Sequence, residues 1–247
     1  YRLSQCFLKQ EQAAAATIIS SLSYFYLVNF VLQYNQNVIM QPLWVTSCYY
    51  FWLAFNRWTT KSWLLFSCIA ALAMYAKYQS AIILFIQCIY LGRHYQCIKI
   101  KPLVYAILTG LILIMPHLFW LIKTGYVPLH YMMARGNHET FIHSLLNHLT
   151  HPITTLFIQP LNLTLPAGCI AWYLFRKQWH MGNKNNLGQY LVFLGWAPLI
   201  MTATIALIFG IKIQPEWGYP MFSLSIPALF MYFNIRVKKQ HLKPLII

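Results

Sequence analysis

What most limits this chain is how far it runs without a charge. No Asp, Glu, Lys or Arg occurs from Ala13 to Leu32, Ile39 to Phe55, Leu103 to Ile122, Ile153 to Phe175, Tyr190 to Ile211 or Tyr219 to Ile235. About 20 apolar residues in a helix cross a hydrocarbon core of roughly 30 Å, so each run predicts a membrane pass. The fold expected is an all-α membrane protein, a polytopic bundle in a single transmembrane domain over residues 1-247. A soluble globular domain carries about a quarter charged residues. This chain has 9% charged against 59% hydrophobic and 17% aromatic.

One further run, Trp63 to Leu91, has a single charge, Lys77, almost at its centre. As one helix it would be about 43 Å long at 1.5 Å per residue, too long for an untilted span. The basic residues decide how to read it. There are 18 Lys plus Arg against 3 acids, Glu11, Glu139 and Glu216, for a formal charge of +15. Suppose residues 1 to 12 are cytoplasmic and the long run is two short passes that reverse at Lys77, for about eight transmembrane or half-spanning helices. The cytoplasmic side then holds Arg2, Lys9, Arg57, Lys61, Arg93, Lys99, Lys101, Arg176, Lys177, Lys184, Arg236, Lys238, Lys239 and Lys243. Only Lys77, Lys123, Arg135 and Lys212 remain outside, as the positive-inside rule requires. A single crossing would move every later loop to the other side and erase the asymmetry. The cations sit singly between apolar runs and form no basic face, so no nucleic acid partner is expected.

Each half of the run is short, about 21 Å of helix. A reversal at membrane depth is tolerated only where it is buried in protein or lines a wet cavity. The corner Lys77-Tyr78-Gln79-Ser80 is therefore expected to face a cavity open to the outer side. An ionisable residue inside a membrane segment marks a functional site by default. A cation at low dielectric suits a phosphate or pyrophosphate head group, and Tyr78, Gln79 and Ser80 add hydrogen-bonding groups. The plainer alternative is a lysine that snorkels to the interface, and the topology argues for the functional reading.

The outer side should also hold the polar link Gln33 to Asn37, a loop over 123-152 and the link Lys212 to Gly218. In the loop, Phe141, Leu145, Leu146 and Leu149 fall on one helix face, which predicts an interfacial helix near Thr140 to Leu149. Glu139 and Glu216 are the only outward acids, so a carboxylate base within this chain must be one of them. Glu216 lies in Pro215-Glu216-Trp217-Gly218-Tyr219-Pro220, where Trp217 and Tyr219 are either interfacial anchors or faces that stack on a sugar. Glu139 beside His138 is either a catalytic or metal pair or an exposed loop acid. His138, His143, His148 and His151 make no HExxH-type pattern, although the last two lie one helical turn apart, and no metal or cofactor is expected.

Pro116-His117 predicts a kink near the outer end of its helix, with His117 either hydrogen-bonded in the bundle or facing the cavity. Six cysteines with no CxxC pair, mostly inside apolar runs, predict neither a disulfide framework nor a metal knot. The opening Tyr1-Arg2-Leu3 shows no initiator Met and no signal-peptide layout, so the chain is expected to be part of a longer protein.

Taken in order, several segments carry a resemblance. Ala71-Leu72-Ala73-Met74-Tyr75-Ala76-Lys77-Tyr78-Gln79-Ser80-Ala81 resembles the "GLAxLxKYxxxLL" stretch of the family 39 glycosyltransferases. These are relatives of the dolichyl-phosphate-mannose protein mannosyltransferases and of the bacterial lipid A aminoarabinose transferases. Pro116-His117-Leu118-Phe119-Trp120 is similar to that family's "PxxxW", and Pro215-Glu216-Trp217-Gly218-Tyr219-Pro220 to its "xxWxxP". Asn35-Gln36-Asn37 falls where the family has a short polar link, and Asn37 stands where members often carry Asp.

The resemblance implies an integral membrane glycosyltransferase that moves a sugar from a polyprenyl-phosphate donor to a glycan, lipid or protein acceptor on the outer face of the membrane. It implies that Lys77 lies near the lipid phosphate. The catalytic acid would sit in a first outer loop, expected in a preceding part of the protein. Without the large soluble loop domain of the eukaryotic mannosyltransferases, the location implied is the bacterial inner membrane, with the active side facing outward. Intramembrane charge and broken helices also suit a transporter or flippase of a lipid-linked or anionic solute. Against it, no inverted repeat is visible and the polar residues gather on one side. A non-catalytic membrane scaffold is the third reading, and it predicts no deep cavity around Lys77.

Overall fold

In hydrocarbon, backbone N–H and C=O groups have only each other for partners, so a spanning chain of this composition must be helical. The computed structural model describes residues 1–22, 35–128, 130, 141–163, 165–179, 189–211, 213 and 217–242, and every regular element among them is a helix. Glu139, Glu216, His138, Arg135, Lys184, Lys212 and Lys243 lie outside the described residues. The helices are α1 (Arg2–Gln5), α2 (Gln10–Ser21), α3 (Gln36–Arg57), α4 (Thr60–Ala76), α5 (Ser80–Arg93), α6 (Ile100–Lys123), α7 (Phe141–Leu163), α8 (Leu165–Phe175), α9 (Gln189–Phe209), α10 (Gly218–Met221) and α11 (Ser225–Tyr232). Short 3₁₀ turns follow at Tyr95–Cys97, Arg176–Gln178 and Lys239–His241.

The chain divides into two units. One contains Tyr1–Gln41, Leu156–Ile200 and Gln214–Ile247, and the other Pro42–Thr155 and Met201–Ile213.

The second unit holds the long run. It does not cross once: α4 and α5 are separate helices of 17 and 14 residues, and the chain reverses at Lys77 between them. The cross-contacts give the directions. Ser67 meets Ala106, Tyr75 meets Leu113 and Tyr78 meets His117, so α4 and α6 run parallel. Gln87 meets Ser47, Tyr90 meets Phe51 and His94 meets Phe55, so α5 and the second-unit part of α3 run parallel as well. Successive helices therefore alternate in direction, as the reading with two short passes requires.

Trp58, in the left-handed region at φ 49, turns α3 into α4, and the Thr59 hydroxyl caps α4 by accepting from the Ser62 N–H at 3.3 Å. Between α4 and α6 small residues meet: Ser67 on one side, Ala106 and Gly110 on the other, while Ala70, Ala71 and Ala73 of α4 are also buried. In a bilayer such residues favour association because they let helix backbones approach.

α6 turns the rest of its surface outward, with Ile112 64%, Phe119 69% and Ile122 61% exposed. A continuous apolar face of this kind is costly in water and ordinary in lipid. Among the described residues, α6 and α9 are long and apolar enough to cross a bilayer. α6 continues as helix through Pro116.

Two expected segments come out differently. Residues near Thr140 to Leu149 and the run from Ile153 were read as separate pieces, but α7 continues across Pro152. Its His148 and His151 donate from Nδ1 to the carbonyls of Leu207 (2.7 Å) and Gly210 (2.8 Å), tying α7 to the C-terminal end of α9. Those carbonyls belong to the last turn and its exit, where intrahelical donors run out. The run Tyr219 to Ile235 was expected as one pass and is instead α10 and α11, with a turn at residues 222–224. Pro227 explains the break: it has no N–H to give to a carbonyl four residues back, a loss that a helix tolerates only in its first turn.

In the first unit, α2 presents a face of Ala13, Ala15, Ala16 and Ile19, all at 0% exposure, and packs on α11 and α8. Gly195 of α9 lies so close to α11 that a Cβ there would clash with that of Ala228. At one end of this unit several chain segments converge. Gln12 Nε2 donates to the Ile235 carbonyl (2.6 Å), Arg236 N–H to that of Gln178 (3.3 Å), and Phe7 meets Tyr190 while Phe175 meets His241. The positive-inside reading puts every segment in this convergence on the cytoplasmic side.

Candidate functional site

The Lys77 corner is built by a break in hydrogen bonding. Lys77 is extended (φ −166, ψ 135), which ends α4, while its N–H still reaches the Ala73 carbonyl at 3.1 Å. Its own carbonyl accepts from Ser80 N–H at 3.0 Å and opens α5. Ser80 is fully buried and gives its hydroxyl proton to Ala73 O at 2.8 Å, across the corner. Its role is thus to fasten the reversal. Lys77, Tyr78 and Gln79 are half-buried.

α6 supplies the neighbouring wall. Tyr78 Oη and His117 Nε2 are 2.7 Å apart, with donor and acceptor set by the imidazole tautomer. Of the two places open to His117, it takes the hydrogen-bonded one. Its ring stacks on Trp120 (5.4 Å, 23°) and meets Tyr75 edge-on (5.3 Å), while the Tyr75 hydroxyl donates to Leu113 O at 2.8 Å. Tyr75 and Trp120 remain 47% and 46% exposed. The structure therefore gathers Lys77, Tyr78, Gln79, Ser80 and His117 and adds Tyr75 and Trp120. Tyr75 sits two residues before Lys77 and was read only as part of a motif. Its signal is that a residue extended at the corner brings the last turn of α4 to face the last turns of α6.

Asn37 and Trp217 belong to the first unit. Asn37 is buried in the first turn of α3, where its N–H donates to the Asn35 side chain at 2.9 Å. Trp217 is half-buried at the entry to α10.

Apolar helices that carry a half-buried lysine at the apex of a reversal define a helical integral membrane protein with a polar site at a helix turn. The sequence profile of the dolichyl-phosphate-mannose-protein mannosyltransferase family matches residues 1–120, so this part of the chain, a little under half of its 247 residues, is similar to that family. The family 39 resemblance is borne out, and the class is a membrane glycosyltransferase. The matched stretch includes Asn37, the whole Lys77 corner, His117 and Trp120. Neither a curated protein nor a solved structure matches the chain.

Proposed function

We propose that the chain transfers a sugar from a polyprenyl-phosphate donor, and that Lys77 holds the donor's phosphate on the outer face of a bacterial inner membrane. The observation that carries this reading is the position of Lys77 at the apex of a helical reversal, beside the Tyr78 to His117 hydrogen bond and an aromatic wall. As the bond to the anomeric carbon breaks, negative charge grows on the departing phosphate. A fixed ammonium in a poorly hydrated site favours that state over the ground state. Tyr75, His117 and Trp120 offer ring faces for the sugar or the first isoprene unit. Asn37 and Trp217 are further candidates for binding donor or acceptor, and Glu216 or Glu139 is the carboxylate within this chain available as a base. About eight membrane passes or half-passes complete the arrangement.

The test is transfer from a polyprenyl-phosphate-linked sugar by the full-length protein in membranes, with and without Lys77→Ala. The expected loss is about 10²–10³ in kcat, the usual effect of removing one group that stabilises developing charge. Unchanged transfer would sink the assignment.

A further inference from the structure

The convergent end of the first unit gathers five cations from two chain segments. Arg176 and Lys177 follow α8, and Arg236, Lys238 and Lys239 follow α11, all with exposed side chains. The bond from Arg236 N–H to Gln178 O draws these two segments into one surface. Among the described residues none of the five cations forms an ion pair, and the only acid described in the chain is Glu11. Like charges brought together in this way repel one another unless a counter-charge is supplied.

Two further observations say what supplies it. Trp179 Nε1 is buried with no hydrogen-bond acceptor among the described residues, a donor next in sequence to the Gln178 that accepts from Arg236. Its ring packs on Phe233 at 4.6 Å, which holds the donor in place. On the helices that lead into these two segments, Trp172, Tyr173 and Tyr232 are 52%, 71% and 47% exposed, and Arg176 lies over the Trp172 ring at 5.7 Å. Exposed Trp and Tyr of this kind mark the level of lipid headgroups.

We infer that this end of the first unit is a binding site for the phosphate headgroup of an anionic phospholipid, held by Arg176, Lys177, Arg236, Lys238 and Lys239 with Trp179 Nε1–H as a fixed donor. Clustered cations beside a helix end at the bilayer surface recognise such headgroups. The site shares no residue with the Lys77 corner and stands whether or not the transferase reading holds.

The experiment uses the full chain in detergent, where orientation in a membrane plays no part, and follows retention of phosphatidylglycerol against phosphatidylcholine by native mass spectrometry. The wild type is expected to retain phosphatidylglycerol preferentially. The triple variant Arg236→Gln, Lys238→Gln, Lys239→Gln should lose of order a hundredfold in that preference, since each of the three cations near an anionic surface adds a severalfold factor. The charge-conserving set Arg236→Lys, Lys238→Arg, Lys239→Arg should keep it, and Trp179→Phe should weaken it. Equal retention of the two lipids by the wild type overturns the proposal. So does displacement of phosphatidylglycerol by millimolar inorganic phosphate, which would make this a site for the free ion. A Trp179→Phe variant with undiminished preference would reduce the site to diffuse surface charge and overturn it as drawn.

Discussion

Ser80 and Tyr78 sit on the same corner and do different work. Ser80 spends its proton on Ala73 O in a buried place, so Ser80→Ala should lower stability by about 1 kcal/mol, the usual net value of one such bond. A denaturant or thermal series in mild detergent reads this directly. Tyr78→Phe removes only the hydroxyl that meets His117. If this bond orients the corner for a phosphate, Tyr78→Phe and His117→Phe should each weaken donor binding severalfold with a stability change of at most about 1 kcal/mol. Donor titration beside the unfolding curve separates the two effects, and a pure stability loss would make the pair structural. The lysine and its neighbours were legible from sequence because a charge in an apolar run is conspicuous. The Tyr75 and Trp120 wall was not, since an aromatic residue in a membrane helix faces lipid as readily as a site.

At the scale of helices, close approach decides. A Cβ at Gly195 would clash with Ala228 Cβ and stand 3.4 Å from the Leu224 carbonyl, with no flexible side chain to yield. Gly195→Val should cost about 1–3 kcal/mol, as overpacking does, or force α9 and α11 apart. Gly110 differs, for a Cβ there meets the Ser67 hydroxyl at 2.9 Å, the group that donates to Ala106 O. Gly110→Ala should therefore destabilise, and Ser67→Ala in the same chain should recover part of the loss. A double-mutant cycle with no coupling would contradict the contact. The positions of α3, α4, α5, α6 and α9 were readable from the lengths of their apolar runs. The break between α10 and α11 was also within reach, because Pro227 stands inside the run. Hydropathy averages over it, whereas the hydrogen-bond ladder does not.

For the whole molecule the decisive prediction concerns sides. In a background free of other cysteines, Cys97 between α5 and α6 should be shielded from a membrane-impermeant thiol reagent applied outside. A cysteine in place of Thr124, past the end of α6, should be labelled. A single crossing by residues 63–91 would reverse both results, so the pair of measurements tests the topology and not merely exposure.

The sequence by itself determined that the chain is helical and suited to a membrane, that its first 120 residues resemble the dolichyl-phosphate-mannose-protein mannosyltransferases, and which cations the positive-inside rule groups together. Each of these rests on local composition: a run long enough to span, or a cation that stays on its side. Only the tertiary structure decided that α4 lies parallel to α6, that His117 rather than another polar residue meets Tyr78, and that the cations after α8 and α11 share one surface. Those pairings join residues far apart in the chain. They depend on how small side chains let particular helices approach, and no run of hydropathy records that.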